Sequence, residues 1–411
     1  MKTIIELYDR EPIENLLSTI IFQPEHVVYI TGCDAPDAIR RQAMERALRR
    51  HAPMTRVHFL AADAVSVPSI FEALRKAVAT WPDCIFDFTG GRDLMLLSSG
   101  LFCQAHEVGG FFIDLPQGRF VDVFRAGALK ERFQMPRFSI SDVLDAAGGS
   151  LQRHGHFVEG SDTREMETLL LRGWEVCRQN PSGWGGHVSY LQHVTRAATQ
   201  ADEDALTIRA ERVIRVNAQH TVRADADILR ALSRAELIQD LKIGENRVSF
   251  RYPNAVLRGY LTNYGIWLEL FAYITAKRMD YFDDVGTSIV IDWNGKGLPR
   301  STQNEVDLIL VRGIAPIFIS CKAGIPDALA LDEIKLLSYR FGGALSKSVL
   351  LTAAHFPPSN ALYQRARDMD IKVIDAGDLE PDRFSQVLMS IAEDRYVYQS
   401  GNGKRPRQNS R

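Results

Sequence analysis

With 411 residues the chain is too long for one ordinary domain, and two or three are expected. Hydrophobic residues at 45% and charged residues at 24% exclude a chain disordered throughout. A formal charge of -2, from 49 Lys and Arg against 51 Asp and Glu, excludes a uniformly basic nucleic-acid binder, so any phosphate must be met by local sites.

The first third alternates strand and helix signals. His26 to Ile30 is a β-rich run that turns at Thr31-Gly32-Cys33-Asp34. Asp34 is placed to cap a helix with Pro36 in its first turn, continuing to Leu48. Arg56 to Leu60 reads as a second strand, Ile70 to Val78 as a helix, and Cys84 to Phe88 as a third strand. Thr89-Gly90-Gly91-Arg92 and another helix follow. Phe111 to Leu115, a Gln117-Gly118 turn and Arg119 to Phe124 read as a hairpin. This predicts an α/β fold with a doubly wound, mostly parallel sheet in a Rossmann-like, ligand-sensing domain over 1–145.

From 146 to 255 the pattern changes. Gly148-Gly149 breaks it, and segments rich in Arg, Ala and Glu alternate with polar stretches such as Asn180 to Gly186. Asp225 to Lys242 has helical spacing, Gly244-Glu245-Asn246 is a turn, and Arg247 to Tyr252 alternates like a strand. A helical, winged-helix-like linker is expected. The last third, 256–398, starts with an amphipathic helix over Trp267 to Arg278 and a strand over Thr287 to Trp293. Glu305 to Arg312 and Pro316 to Lys322 form a predicted hairpin about Gly313. Leu329 to Phe341 is helical, Ser348 to Thr352 a strand, Ala361 to Asp368 a helix and Lys372 to Asp375 a strand. Residues 399–411 lack apolar content and read as a flexible tail. Five scattered cysteines, odd in number and without a CxxC pair, argue against a disulfide framework and for a reducing cytoplasm. Glu6 interrupts any signal-peptide core, and no apolar run is long enough for a bilayer, so no membrane partner is expected.

Two features carry chemistry. Thr31-Gly32-Cys33-Asp34 and Thr89-Gly90-Gly91-Arg92 both leave the carboxyl ends of predicted strands, where open α/β sheets bind ligands. Glycines let backbone N–H groups approach a phosphate, and Arg92 adds a cation. The same Gly90-Gly91 pair also suits a tight β–α turn with no ligand. No GxGxxG occurs, so a dinucleotide coenzyme is not expected. The second feature is Glu305-Val306-Asp307 on one strand and Ser320-Cys321-Lys322 on the next. Residues two apart on a strand share a face, so Glu305 and Asp307 point one way, and so do Ser320 and Lys322. Carboxylates in that layout hold a hard divalent cation such as Mg²⁺ or Mn²⁺, and the lysine stabilises charge on phosphate. Glu269, on an otherwise apolar helix, is placed to join them. A half-exposed salt bridge on a hairpin has the same spacing.

Asn304-Glu305-Val306-Asp307 with Ile319-Ser320-Cys321-Lys322-Ala323-Gly324 resembles the restriction-endonuclease-like (PD-(D/E)xK) domain of CRISPR ancillary nucleases. Gly265 to Glu269, Phe282 to Val285 and Val290 to Trp293 match the same domain. In that family a CARF (CRISPR-associated Rossmann fold) domain precedes the nuclease, and Thr89-Gly90-Gly91-Arg92 resembles its glycine-rich ligand loop. The resemblance implies a homodimer that binds cyclic oligoadenylate, usually cyclic tetra-adenylate, in type III CRISPR antiviral defence. Its ligand loop is expected at Thr89, Gly90, Gly91 and Arg92, and the other strand-end loop adds Thr31, Gly32 and Asp34 as ligand-binding candidates from its position. Binding activates metal-dependent cleavage of DNA, RNA or both, with Glu269, Glu305 and Asp307 as metal ligands and Lys322 as the catalytic cation. Ser320 departs from the acid of the (D/E)xK motif, so Glu305 or Glu269 must supply the second carboxylate. Arg92-Asp93 stands where relatives often carry Thr-Lys. The alternative is a nucleotide-sensing regulator that binds DNA through the wing and has a degenerate nuclease fold. His154 and His156 form an HxH pair without acids at ligand spacing, and Trp184 is expected to anchor a loop.

Overall fold

Thr3–Leu7 (β1) is buried along its whole length, as suits a β-branched run in a parallel strand covered on both faces. The computed structural model describes residues 2–9, 11–32, 35–124, 133–153, 155, 163–202, 205–217, 219–293 and 302–394. Asp34, His154, His156 and the tail 399–411 lie outside the described residues. After β1 come Glu14–Phe22 (α1), His26–Thr31 (β2), Ala38–His51 (α2), Arg56–Ala61 (β3), Val67–Thr80 (α3) and Cys84–Asp87 (β4). Asp93–Ala105 (α4), Gly110–Asp114 (β5) and Arg119–Phe124 (β6) complete the unit. The strands lie in the order β3-β2-β1-β4-β5-β6; β1 to β5 are parallel, and β6 turns back on β5 as the predicted hairpin. Helix α2 starts later than its sequence suggested. Asp37, not Asp34, accepts from the Arg40 N–H at 2.8 Å, and Pro36 stays outside the helix. The strand order reverses between β1 and β4, so the ligand crevice of such a sheet opens outside their carboxyl ends.

The middle of the chain holds Ile140–Ala146 (α5), Ser150–Arg153 (β7), Arg164–Gln179 (α6), Pro181–Ala201 (α7) and Thr207–Glu211 (β8). Val213–Arg215 (β9), Thr221–Arg223 (β10), Ala226–Arg234 (α8), Gln239–Ile243 (β11), Arg247–Arg251 (β12) and Ala255–Leu261 (α9) follow. The stretch Asn180 to Gly186 is no loop. Pro181 opens α7, where a missing N–H costs nothing, and Trp184 is buried edge-on to Trp267 at 6.0 Å. The helix expected to reach Lys242 stops at Arg234. Glu236 takes φ +64°, the chain reverses, and β11 pairs with β12 and β12 with β8 in a three-stranded wing.

The last part contains Ile266–Arg278 (α10), Asp284–Asp292 (β13), Gln303–Arg312 (β14), Ala315–Lys322 (β15), Ala328–Gly342 (α11) and Lys347–Thr352 (β16). Ala361–Asp368 (α12), Ile371–Ile374 (β17) and Pro381–Glu393 (α13) end it. Its sheet runs β17-β16-β15-β14-β13-β7, so a strand from the segment read as linker forms one edge of the C-terminal sheet. The two large sheets are joined rather than merely tethered. Phe138, Ile140, Val143 and Leu144 pack in one apolar cluster with Tyr29 and Phe111 on one side and Ile289 and Phe318 on the other. Around it, Arg46 pairs with Asp145 at 2.7 Å, Arg50 with Asp142 at 2.6 Å, and the Ala344 N–H donates to Glu11 Oε2 at 2.6 Å. A second cluster joins the wing residues Ile208, Val248 and Phe250 to Leu308 and Ile319 through α10. No helix among the described residues is long and apolar enough to cross a membrane.

Candidate functional site

The antiparallel pairing of β14 and β15 sets Leu308 opposite Ile319, which brings Asp307 beside Ser320. The Cys321 N–H donates to Asp307 Oδ2 at 2.6 Å, and Ser320 Oγ lies 3.4 Å from the same oxygen. On the other side, Thr287 Oγ1 donates to the Asp307 carbonyl at 3.1 Å. Next to it in β13, Ser288 takes φ +47°, a sterically costly conformation for a non-glycine residue. The Asp307 side chain is therefore fixed by the sheet itself. Its carboxyl is raised to about 6, first by burial and then by the Glu269 carboxylate; Glu305 adds to the rise, while the Cys321 N–H and Lys322 oppose it. All four residues expected to act together thus fall in one electrostatic neighbourhood. Cys321 between Ser320 and Lys322 is buried, as strand alternation requires. Burial, with the Asp307 and Glu269 charges next, pushes its thiol well above the usual range, which leaves it no thiolate chemistry at neutral pH.

Three carboxylates against one lysine, all offering oxygen, fit a hard divalent cation in charge and atom type. A cation would also offset the repulsion that holds the Asp307 proton. Among the described residues no group of three His, Cys, Asp or Glu is gathered closely enough to hold an ion by itself. The fit is to an ion such as Mg²⁺, which keeps several waters and takes one or two protein carboxylates plus substrate phosphate.

The crevice of the first sheet is bounded by a loop the sequence did not reveal. Residues 8–9 and 11–13 follow β1, and Asn15 Nδ2 donates to the carbonyls of Asp9 and Glu11 at 2.8 and 3.1 Å. Facing them is the loop after β4. There Thr89 is an internal brace: its hydroxyl donates to Asp87 Oδ1 at 2.5 Å and accepts from the Ile113 N–H at 3.0 Å. Thr31 is equally internal, buried with Oγ1 bonded to the Leu60 carbonyl at 3.3 Å. Gly32 packs where a Cβ would lie 2.7 Å from Ala64. Gly91, at φ +119°, passes so close to Leu7 that a Cβ would sit 2.7 Å from the leucine Cβ, and its N–H donates to Asp9 Oδ2 at 2.8 Å. That donor is turned inward rather than into the crevice. Gly90, exposed Arg92 and the start of α4, which has no side-chain cap, remain on the crevice side.

Beneath this loop lies an acid cluster that sequence reasoning missed. Glu6 and Asp87 are opposite one another in the β1–β4 ladder, and both are buried. Glu6 is held well above the usual carboxyl range, by burial and then by Asp87, even though Ser18 and Thr19 hydrogen-bond to it. Burial raises Asp87 to about 6. Glu14 is pushed up to about 8 by burial, with Glu11, Asp9 and Asp87 adding to it. At neutral pH Glu14 is therefore mostly uncharged. The available sequence signal was Glu6-Asp9-Glu11-Glu14 beside an unrecognised strand.

Solved structures share this architecture over nearly the whole chain. One is protein VC1899 from Vibrio cholerae, with a TM-score of 0.73 and 17% identity, covering 95% of this chain and 98% of that one. Another is Can2 from Sulfobacillus thermosulfidooxidans in complex with cyclic tetra-adenylate, with a TM-score of 0.65 and 16% identity over 95% and 99%. A type III CRISPR defence DNA nuclease activated by cyclic oligoadenylate aligns at a TM-score of 0.46 and 13% identity, covering 87% of this chain and 47% of that one, too weakly to carry weight. No protein-family model matches the chain, and no curated protein sequence does. The α/β fold inferred from the resemblance to CARF ancillary nucleases is the fold these structures share.

Proposed function

We propose that the protein is a metal-dependent nuclease that cleaves DNA, RNA or both and is switched on by cyclic oligoadenylate, most simply cyclic tetra-adenylate, in type III CRISPR antiviral defence. The observation that carries this is Asp307, fixed on the β14–β15 hairpin by the Cys321 N–H and within electrostatic reach of Glu269, Glu305 and Lys322. Glu269, Glu305 and Asp307 are the residues from which Mg²⁺ or Mn²⁺ would take one or two direct carboxylates, the rest of its shell being water and substrate phosphate; the cation would supply Lewis acidity at the scissile phosphate and a more acidic bound water. The chain's own residues do the rest. The Cys321 N–H fixes one oxygen of Asp307, which leaves the other for the ion. Lys322, on the same face as Ser320, offsets charge that builds on the phosphate oxygens. Ser320 is neutral, so Glu269 or Glu305 takes the place of the motif's second acid.

For the sensor, the fold shared with cyclic tetra-adenylate-bound Can2 supports a ligand at the β1–β4 crevice. We assign its recognition to Gly90, Arg92 and the α4 N-terminus, with Gly91 setting the backbone path of that loop and Gly32 and Asp34 offered from the neighbouring one. A symmetric cyclic nucleotide suits a crevice across a two-fold axis, so the working unit is a homodimer in the cytoplasm. The test is cleavage of labelled DNA and RNA with Mn²⁺ and cyclic tetra-adenylate by the wild type and Asp307→Ala. The wild type should cut and the variant should not; equal turnover would rule out this active site. The rival regulator, against which the presence of Glu269, Glu305, Asp307 and Lys322 together argues, predicts binding of nucleic acid with no cleavage by either protein.

A further inference from the structure

The net charge of -2 conceals a strong local bias. Between 205 and 258 there are ten Arg and Lys and six Asp and Glu. The wing sheet sorts them by face. Ile208, Val248 and Phe250 point inward and are buried in the core shared with the C-terminal sheet. The outward positions carry the cations. Lys242, Ser249 and Arg209 lie abreast across β11, β12 and β8. One row along, Arg251 lies between Gln239 and Thr207, and on the other side Arg247 lies opposite Glu211, the one acid in these three rows. Arg209, Lys242, Arg247 and Arg251 are all exposed, and none forms an ion pair among the described residues. Arg209, Lys242, Arg247 and Ser249 line an open cleft of about 450 Å³ on this face.

We propose that this outer face binds the phosphodiester backbone of a nucleic acid, as a site separate from the catalytic hairpin. The chemistry is that of a backbone reader: cations spaced along a hydrogen-bonded sheet, a central hydroxyl, and no exposed aromatic in the three rows to stack a base. Alternate residues along β12 advance by ~6.8 Å, about the axial rise of two nucleotides in one DNA strand. Because the inner face shares a core with Leu308 and Ile319 beside Asp307, a strand held on the wing is held in a fixed relation to the site that cuts it. The proposal rests on the reading that the substrate is a nucleic acid, and it assigns the residues that capture that substrate before chemistry.

The test compares the full-length wild type with the triple variant Arg209→Gln/Lys242→Gln/Arg247→Gln and with a control, Arg75→Gln/Lys76→Gln, on an exposed part of α3. Anisotropy of labelled single-stranded DNA, duplex DNA and RNA is read in chelator between about 50 and about 200 mM salt. The triple variant should bind at least about tenfold more weakly, and its log–log salt slope should shrink by about 2 to 3, while the control matches the wild type. The three probes show which strand type the face prefers. An unchanged slope in the triple variant, or an equal loss in the control, overturns the proposal, as does a wild type that binds none of the probes. Cleavage is scored separately with Mn²⁺ and activator. A wild type that binds through this face but never cuts refutes the nuclease reading alone; one that cuts with the triple variant's affinity unchanged refutes the surface alone. Matching melting curves for the variants exclude misfolding as the cause of either result.

Discussion

Replacing Asp307 by Asn should make the protein more stable and inactive at once. The carboxyl is raised from 3.8 to about 6 by burial and by Glu269, so in the metal-free protein its ionised form is disfavoured by roughly 2 pH units. That corresponds to a ceiling of about 3 kcal/mol, and screening at a side chain that is only partly buried reduces it to about 1–2 kcal/mol. The sign follows from proton binding. Folded Asp307 holds its proton more tightly than the unfolded chain does, so wild-type stability falls as pH rises from about 4 to about 6 and stays lower above that. Asn is the same size, keeps an oxygen for the Cys321 N–H, and does not ionise. The assay is urea or thermal unfolding of both proteins in chelator at pH 8 and pH 4. Asp307→Asn should be more stable at pH 8, and the difference should close at pH 4. Adding Mn²⁺ should then raise the wild-type midpoint more than the variant's. A variant no more stable than wild type at pH 8, or an advantage that persists at pH 4, would refute the electrostatic account of the site.

Lys322→Ala should slow cleavage on the order of 10²–10³-fold, the loss typical of one transition-state donor, yet weaken Mn²⁺ binding less than Asp307→Ala does in calorimetric titration. Glu14→Gln should remove a stability loss of about 2 kcal/mol that the wild type suffers as pH climbs from about 4.5 to about 8, because the folded carboxyl is pushed up to about 8; pH-dependent melts check this. It should also flatten the pH dependence of activator affinity if an anionic ligand lies above that cluster. Gly91→Ala meets both φ +119° and the Leu7 side chain, so it should lower the sensor's stability by about 1–3 kcal/mol and raise the half-maximal activator concentration, with any unstimulated cleavage retained.

What the sequence disclosed follows the strength of its local signals. The hairpin of β14 and β15 was legible because long β-branched runs flank a glycine that sits at φ +61°. The shared faces of Glu305 with Asp307 and of Ser320 with Lys322 followed from period-two alternation, whereas Glu269 lies on α10. By contrast β1 has only five residues and carries Glu6 within it, and no local pattern shows that a buried acid will face Asp87 across a parallel ladder. Missing β1 hid the segment after it, and with it the Asp9 carboxylate that occupies the Gly91 N–H. The edge strand β7 was unreadable for a related reason. Four residues between a double glycine and the segment beyond acquire strand character only from pairing with β13, more than a hundred positions later. The overlong helix after Asp225 shows the reverse error: Leu237 and Ile238 continue a helical period, but both are buried by a chain reversal at Glu236.

The central claim is that one ligand-gated site cuts nucleic acid, and initial cleavage rate against cyclic tetra-adenylate concentration tests it most directly. Purified wild type, Gly91→Ala and Asp307→Ala are titrated with the activator at fixed Mn²⁺ and labelled substrate. The account predicts a saturable rise in rate for the wild type, a curve displaced to higher concentration for Gly91→Ala, and no cleavage at any concentration for Asp307→Ala. A wild-type rate that is the same with and without activator would contradict it.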